Sequence, residues 1–334
     1  MKPWLLLPAQ LAHDISPIGL QLYSIFNKAP TPTWKSFVWK NIVFKNRLGL
    51  AGGVDKNADL VNAWAPIGCG FIEIGTVVPQ PQKPNPGKIL DRSLKELTLW
   101  NQMGFPSAGA DEVYYNLKDY KQTSTLPVFI NIGKNRTTPN ESAAADYIQL
   151  LEKFYAFADA FVVNISSPNT LGLRDLAKAE NLKKFLEPIL TARAELTAKS
   201  GQEKPILLKV SPDLESDDFK SLIDTSMEKK IDGFVLTNTT LERKTQKDFP
   251  KTGGISGKPL QDLSKKSLQI VCNHLGKDKS KNLIISVGGV MTAEDVFERI
   301  EMGADLVEVY SALIFQGPGF FKEVARKFYG KNRS

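Results

Sequence analysis

Eight short apolar runs punctuate the chain, at residues 47–51, 70–75, 127–132, 160–165, 205–210, 231–236, 283–287 and 304–309, and each ends in a polar or glycine tip. Runs of this length, bounded by turn formers, read as buried strands. Most are followed by a loop and then by helical spacing, which predicts parallel βα units. Thr138-Pro139-Asn140-Glu141 reads as a capping box, after which Ala144, Tyr147, Ile148, Leu151, Phe154 and Tyr155 share one helical face. Phe219, Leu222, Ile223 and Met227 repeat that design before the sixth run. Thr292, with Asp295 three residues on, predicts a capped helix with Val296, Phe297 and Ile300 turned inward and Gly303 as its stop. Eight such units predict an α/β fold, a (β/α)8 TIM barrel, which needs roughly 250 residues. A doubly wound open sheet permits the same alternation, but the Gly-x-Gly-x-x-Gly fingerprint is absent after the first run.

Two stretches fall outside the eight units: residues 1–45, and the Pro-rich connection 79–125. The connection far exceeds the usual ~2–6-residue βα loop, which marks it as functional. The remaining composition suits a globular body, with 42% apolar and 24% charged residues in 334. The net charge of +7 comes from dispersed lysines, with no basic tract interleaved with aromatics, which argues against a nucleic-acid partner. A basic surface suits an anionic substrate, a phosphate-bearing cofactor or an acidic membrane face. Two cysteines, Cys69 and Cys272, and two histidines, His13 and His274, predict no disulfide framework, no metal site and a reducing compartment. Trp4-Leu5-Leu6-Leu7 is cut off by Pro8 and followed by Asp14, so neither a signal peptide nor a transmembrane helix is expected.

Barrels of this kind carry their chemistry at the C-terminal ends of the strands. Here those tips are Ala51-Gly52-Gly53-Val54-Asp55-Lys56, Gly75-Thr76, Asn131-Ile132-Gly133-Lys134, Asn164 to Asn169, Lys209, Thr237-Asn238-Thr239-Thr240, Ser286-Val287-Gly288-Gly289 and Tyr310-Ser311. Amides, hydroxyls, glycines and lysines in one ring suit a flat heterocycle and supply cations where negative charge accumulates. Ser166 and Ser167, bracketed by Asn164 and Asn169 and stopped by Pro168, have no histidine base in their segment, which argues against a Ser-His-Asp nucleophile. A working serine here would move a proton for a group that accepts electrons. Each tip residue also has a plainer reading: Lys56 as a solvated lysine, Asn131 and Asn164 as turn caps, and Gly288-Gly289 as a tight turn. Eight strands ending this way together favour function.

The motifs Leu48-Gly49-Leu50-Ala51-Gly52-Gly53-Val54-Asp55-Lys56, Glu73-Ile74-Gly75-Thr76-Val77, Asn101-Gln102-Met103-Gly104-Phe105, Asn131-Ile132-Gly133-Lys134-Asn135, Asn164-Ile165-Ser166-Ser167-Pro168-Asn169, Thr237-Asn238-Thr239-Thr240 and Thr252-Gly253-Gly254-Ile255-Ser256-Gly257 resemble those of the dihydroorotate dehydrogenases. The likeness is to the membrane-associated, quinone-reducing class 2 and runs from about Pro8 to the last helix. It implies an FMN enzyme that oxidises (S)-dihydroorotate to orotate in pyrimidine biosynthesis and passes the electrons to a membrane quinone. Ser167 would be the base that takes the C5 proton while a hydride leaves C6 for flavin N5. Lys56 would pair with the substrate carboxylate, and Asn101, Asn164, Asn169 and Asn238, with Thr239 and the loop Gln102, Met103, Gly104 and Phe105, would hold the substrate. For the cofactor, the resemblance implies Gly52, Gly53, Val54, Asp55, Lys56, Thr76, Asn131, Asn164 and Thr237. Lys209 would face the N1–C2–O edge, and Gly257, Gly289, Tyr310 and Ser311 the phosphate and ribityl chain. His13 and Arg92 would line a quinone tunnel.

Ser167 in place of the soluble class's Cys, together with an N-terminal extension, points to class 2. The extension is rich in apolar residues: Leu5, Leu6, Leu7, Leu11, Ile15, Ile18, Leu22, Ile25 and Phe26, with Trp34, Phe37 and Trp39 beyond. It reads either as a flap packed on the barrel or as an interfacial helix pair forming the tunnel. The division expected is residues 1–40 as a short helical membrane and quinone-tunnel segment, and 41–334 as the FMN-binding barrel. The expected location is peripheral, on the cytoplasmic face of a bacterial-type cell membrane. Two departures stand out. The segment before Pro8 is shorter than in many members, which implies a clipped first helix, and Gln102 stands where the family usually has Arg. The competing readings are a soluble FMN oxidoreductase using fumarate or NAD, and a non-catalytic barrel without flavin.

Overall fold

The computed structural model describes residues 2–28, 31–120 and 126–331. Eight strands, β1 (Leu48–Leu50), β2 (Ile72–Val77), β3 (Val128–Ile132), β4 (Ala160–Asn164), β5 (Ile206–Val210), β6 (Gly233–Leu236), β7 (Leu283–Val287) and β8 (Leu306–Val309), pair in parallel in chain order. β8 returns to β1 through Val307↔Leu48, Glu308↔Gly49 and Val309↔Leu50, so the sheet closes into the expected barrel. Every residue of the eight strands is buried, which is why they read as continuous apolar runs and not as alternating ones.

Two layers of apolar packing result. Outward-facing residues such as Ile72, Ile130, Phe161, Leu208 and Val307 meet the surrounding helices. Inward-facing Phe71, Phe129, Val162, Leu207, Val235, Ile285 and Leu306 fill the interior. An antiparallel hairpin, Phe37–Trp39 with Ile42–Phe44, joins that inner cluster, with the Phe44 ring edge-on to Phe71 and Phe129 at 5.7 and 6.0 Å.

The helix Ala293–Glu301 carries the expected capping box, with Thr292 and Asp295 each accepting from the other's backbone N–H. The box expected at Thr138 does not form. A 3-10 turn, Asn140–Ser142, precedes the helix Ala143–Phe154, and the Thr138 hydroxyl donates to Asp146 Oδ2 at 2.8 Å. The Asp146 carboxylate also accepts from Asn135 N–H, and a hydrogen bond to an ionised acceptor is stronger than the neutral one a cap hydroxyl would accept from backbone N–H.

The long connection folds into a hairpin, Leu90–Ser93 with Thr98–Asn101, extended by Gly254–Gly257 to a three-stranded antiparallel sheet, and then into the helix Ala110–Tyr120. Residues 121–125 of the connection lie outside the described residues. At the N-terminus a single 3-10 turn, Pro3–Leu6, leads into helix α1 (Ala9–Phe26), so the expected helix pair is one turn and one helix. On α1, Leu11, Ile15, Ile18, Leu22, Ile25 and Phe26 are exposed, with Phe26 83% so, while Ala12 and Ser24 are buried. The aromatic residues beyond α1 behave differently. Trp34, 2% exposed, packs on Phe297 and Phe328 of the barrel's helices, and Trp39 belongs to the interior cluster.

Candidate active site

The strand tips converge on a cleft at the C-terminal end of the barrel. Lys56, Thr76, Asn131, Asn164, Ser167, Lys209, Thr237, Asn238, Thr239, Tyr310 and Ser311 all line it, as do Gly52, Gly53 and Gly289. The hairpin of the long connection delivers Asn101, Met103, Gly104 and Phe105 to the same cleft, and its third strand adds Ser256. The connection is thus long because it must reach across the barrel mouth.

A hydrogen-bond network fixes the floor. Thr76 Oγ1 donates to Asn131 Oδ1 at 2.6 Å, and Asn164 Nδ2 donates to Thr76 Oγ1 at 3.0 Å. Thr76 reaches this position at an irregularity in the β2–β3 pairing between Ile74 and Val77. Asn131 Nδ2 donates to Glu73 Oε1 at 2.7 Å, and the same oxygen accepts from Lys209 Nζ at 2.6 Å. Burial pulls the Lys209 ammonium down, but the Glu73 carboxylate, with Glu308 beyond it, holds it above the ordinary lysine value. Lys209 therefore stays charged where the cleft meets the barrel core.

The two serines differ. Ser166 Oγ donates to Asn164 Oδ1 at 2.9 Å and accepts from Asn238 Nδ2 at 2.9 Å, so it is committed to the scaffold. Ser167 lines the cleft, and its Oγ accepts from Asn169 N–H at 3.2 Å. Nearby, Asn169 Nδ2 donates to Asn101 Oδ1 at 3.0 Å, which joins the mouth hairpin to the loop after β4. Asn169 Oδ1 and Thr239 Oγ1 are buried without a hydrogen-bond partner, two polar atoms suited to a heterocycle's amides.

Lys56 is the second cation of the cleft. Burial lowers its ammonium to about 8, with Asp55 working the other way. Burial in turn pushes the Asp55 carboxyl up to about 6, while Trp64 Nε1 and Leu60 N–H donate to its Oδ2.

The residues present fit FMN on three counts. Lys209 supplies a cation at the floor, and orphaned acceptors and hydroxyls line the walls. Glycine completes the lining at Gly289, where φ is +69 and a Cβ would come 2.5 Å from Gln261 Cα, so the wall presents backbone and no side chain at that point. At Gly52 a Cβ would fall 2.0 Å from Glu73 Oε1, so the glycine keeps the Lys209 partner in place.

The family model for dihydroorotate dehydrogenase matches residues 36–330. The chain belongs to the dihydroorotate dehydrogenase family. It is 42% identical over 286 residues to the dihydroorotate dehydrogenase (quinone) of Pseudoalteromonas atlantica, covering 85% of this chain and 84% of that one. The protein of the same name from Vibrio cholerae is 37% identical over 328 residues and 96% of each chain. Among solved structures, ligand-free DHODH from Eimeria tenella matches with a TM-score of 0.88 at 30% identity, covering 97% of this chain and 94% of that one.

Four residues named for the substrate or the cofactor do not line the cleft, and the two named for a tunnel, Arg92 and His13, sit around the N-terminal segment. Val54 packs against the core, and Asp55 turns to Trp64. Gly257 caps the 3-10 turn Lys258–Leu260 behind the lining residue Ser256. Gln102 accepts from the Thr252 hydroxyl at 2.6 Å, which gives it a local partner. Arg92 donates to the carbonyls of Trp4, Leu5 and Leu7 and so clamps the N-terminal turn. His13, on α1, reaches Lys56 from outside. Conversely, Glu308 lines the cleft and Glu73 partners Lys209, roles that no site reading assigned to them. Their signal was a charged residue inside an otherwise apolar buried strand.

Proposed function

We propose that the chain oxidises (S)-dihydroorotate to orotate in pyrimidine biosynthesis, with FMN as cofactor and a quinone as final acceptor. The observation that carries the reading is the meeting of Lys56, Ser167, Lys209 and the asparagines in one cleft of a family member whose curated relatives bear the quinone-type name. FMN, when bound, supplies the hydride acceptor and the relay of two electrons.

The chain's own residues would do the rest. Lys56 would hold the substrate carboxylate, and Asn101, Asn164, Asn169 and Asn238 would grip the ring amides, fixing C5 toward Ser167. The Ser167 hydroxyl would take the C5 proton. A neutral serine is a weak base, so transfer must keep pace with hydride loss, and assistance of this kind is worth typically ~10²–10⁴-fold. Lys209 would meet the negative charge that accumulates on reduction. Gly289, Tyr310 and Ser311 would bind the phosphate end, with Thr76, Asn131 and Thr237 along the ring.

The division into residues 1–40 and 41–334 is proposed as a membrane and quinone segment on a catalytic body. Its membrane contact is assigned to the exposed stripe of α1, with His13 and Arg92 near the quinone's path. The exposed apolar row supports this reading, because an amphipathic helix that turns its apolar face outward needs a partner such as the lipid interface. No helix among the described residues is long and apolar enough to cross a membrane. The association proposed is peripheral, through the α1 stripe, on the cytoplasmic face.

Anaerobic addition of dihydroorotate to the purified protein should bleach the flavin, and a ubiquinone analogue should restore it faster than fumarate or NAD. No bleaching would reject the substrate, and preferred reoxidation by fumarate or NAD would reject the acceptor.

A further inference from the structure

Three charged side chains meet inside the barrel at the floor of the cleft: Glu73 from β2, Lys209 from β5 and Glu308 from β8. Both glutamates are fully buried. Lys209 Nζ lies 2.6 Å from Glu73 Oε1 and 4.0 Å from Glu308 Oε2. Asn131 Nδ2 completes the donors on Glu73 Oε1. Glu73 Oε2 and both Glu308 oxygens are left with no partner.

Two ionised carboxylates do not sit this way. An ionised carboxylate only accepts hydrogen bonds, so the three orphaned oxygens would be desolvated without a donor, and the two charges would repel. A single proton on one carboxyl, donated to the other, engages two of the three oxygens and removes the repulsion. Burial, then the Glu73 charge, hold the Glu308 carboxyl well above the usual carboxylate range, against the pull of Lys209. Its register neighbours, Gly49 on β1 and Val287 on β7, carry no charge. The remaining titratable group coupled to it, Cys69, is kept as a thiol by burial.

We infer that Glu73 and Glu308 share one proton beneath Lys209, so that one negative charge and not two faces the ammonium, and that Glu308 is a positioning residue keeping Lys209 available to the negative edge of a reduced flavin. The inference rests on the cleft being the FMN site. With both carboxylates ionised the trio would carry a net negative charge and oppose reduction of the cofactor. With the proton shared it is neutral.

Reductive titration of the purified holoprotein against reference dyes reads the flavin midpoint potential without turnover. Glu308→Gln keeps a neutral donor and should change the ratio of affinities for reduced and oxidised flavin less than twofold. Glu73→Gln lets Glu308 ionise in its place and should also shift it little. The double variant leaves Lys209 uncompensated and should shift the ratio at least tenfold toward the reduced form, about 30 mV for a two-electron couple. If Glu308→Gln alone gives that rise, Glu308 was ionised and the inference is wrong.

A second measurement covers the case in which the double variant does not fold. The infrared spectrum of the wild type minus that of Glu308→Gln should contain the carbonyl band of a protonated carboxyl; a carboxylate band instead overturns the inference. A purified protein that holds no flavin would defeat the cofactor reading first and the inference with it, an outcome distinct from a flavin whose potential follows Glu308 alone.

Discussion

Lys56 Nζ lies 3.4 Å from His13 Nε2, so α1 touches the ammonium that lines the cleft. Burial first, then the Lys56 charge, lower the His13 imidazole, which leaves it neutral and able to accept from the lysine. Lys56 itself titrates at about 8. A carboxylate ligand needs that proton. Orotate affinity should therefore be flat below this pH and fall toward tenfold per pH unit above it, as the free protein loses the charge. Titrating orotate against the flavin absorbance over about pH 7 to 10 checks it. Lys56→Met should abolish the dependence and cost about 1.5–3 kcal/mol of binding, the worth of a hydrogen bond to a charged group.

The two adjacent serines should separate cleanly. Ser167→Ala should retain flavin and slow its reduction by dihydroorotate about 10²–10⁴-fold in anaerobic stopped flow. Ser166→Ala removes the link between Asn164 and Asn238 and should lower the melting temperature, with a smaller effect on reduction. Wild-type reduction in Ser167→Ala would remove that residue from the proton step.

Arg92 gathers the carbonyls of Trp4, Leu5 and Leu7, so its loss should free the N-terminal turn and leave the strand tips as they are. Arg92→Ala should speed limited proteolysis ahead of α1 and raise the KM for quinone, while flavin reduction by substrate stays near wild type. Equal loss of both half-reactions would argue for a folding role.

Replacing Ile18, Leu22 and Phe26 by serine removes three exposed apolar side chains of the α1 stripe. Burying each such side chain is worth at least ~1.5 kcal/mol, so the triple variant should partition into anionic vesicles about a thousandfold less well. Flotation with vesicles measures this. Unchanged partitioning would place the stripe against some other partner.

The chain's own pattern determined the barrel and most of the cleft. A strand covered on both faces must be largely apolar, so Val128–Ile132 and Ile206–Val210 announce themselves, and the polar residue near the end of each run, such as Lys209, falls where the barrel opens. Ser167, Asn131 and Lys56 were legible for the same reason. Local pattern says nothing of which side chains from distant strands meet. The sharing of one lysine by Glu73 and Glu308 depends on the closure of β8 onto β1, and the contact of His13 with Lys56 on how α1 docks. The capture of Arg92 by N-terminal carbonyls and the burial of Trp34 away from the exposed stripe are likewise set by docking. Strand and tip follow from spacing along the chain, whereas charge pairing and partner choice follow from distances that only packing creates.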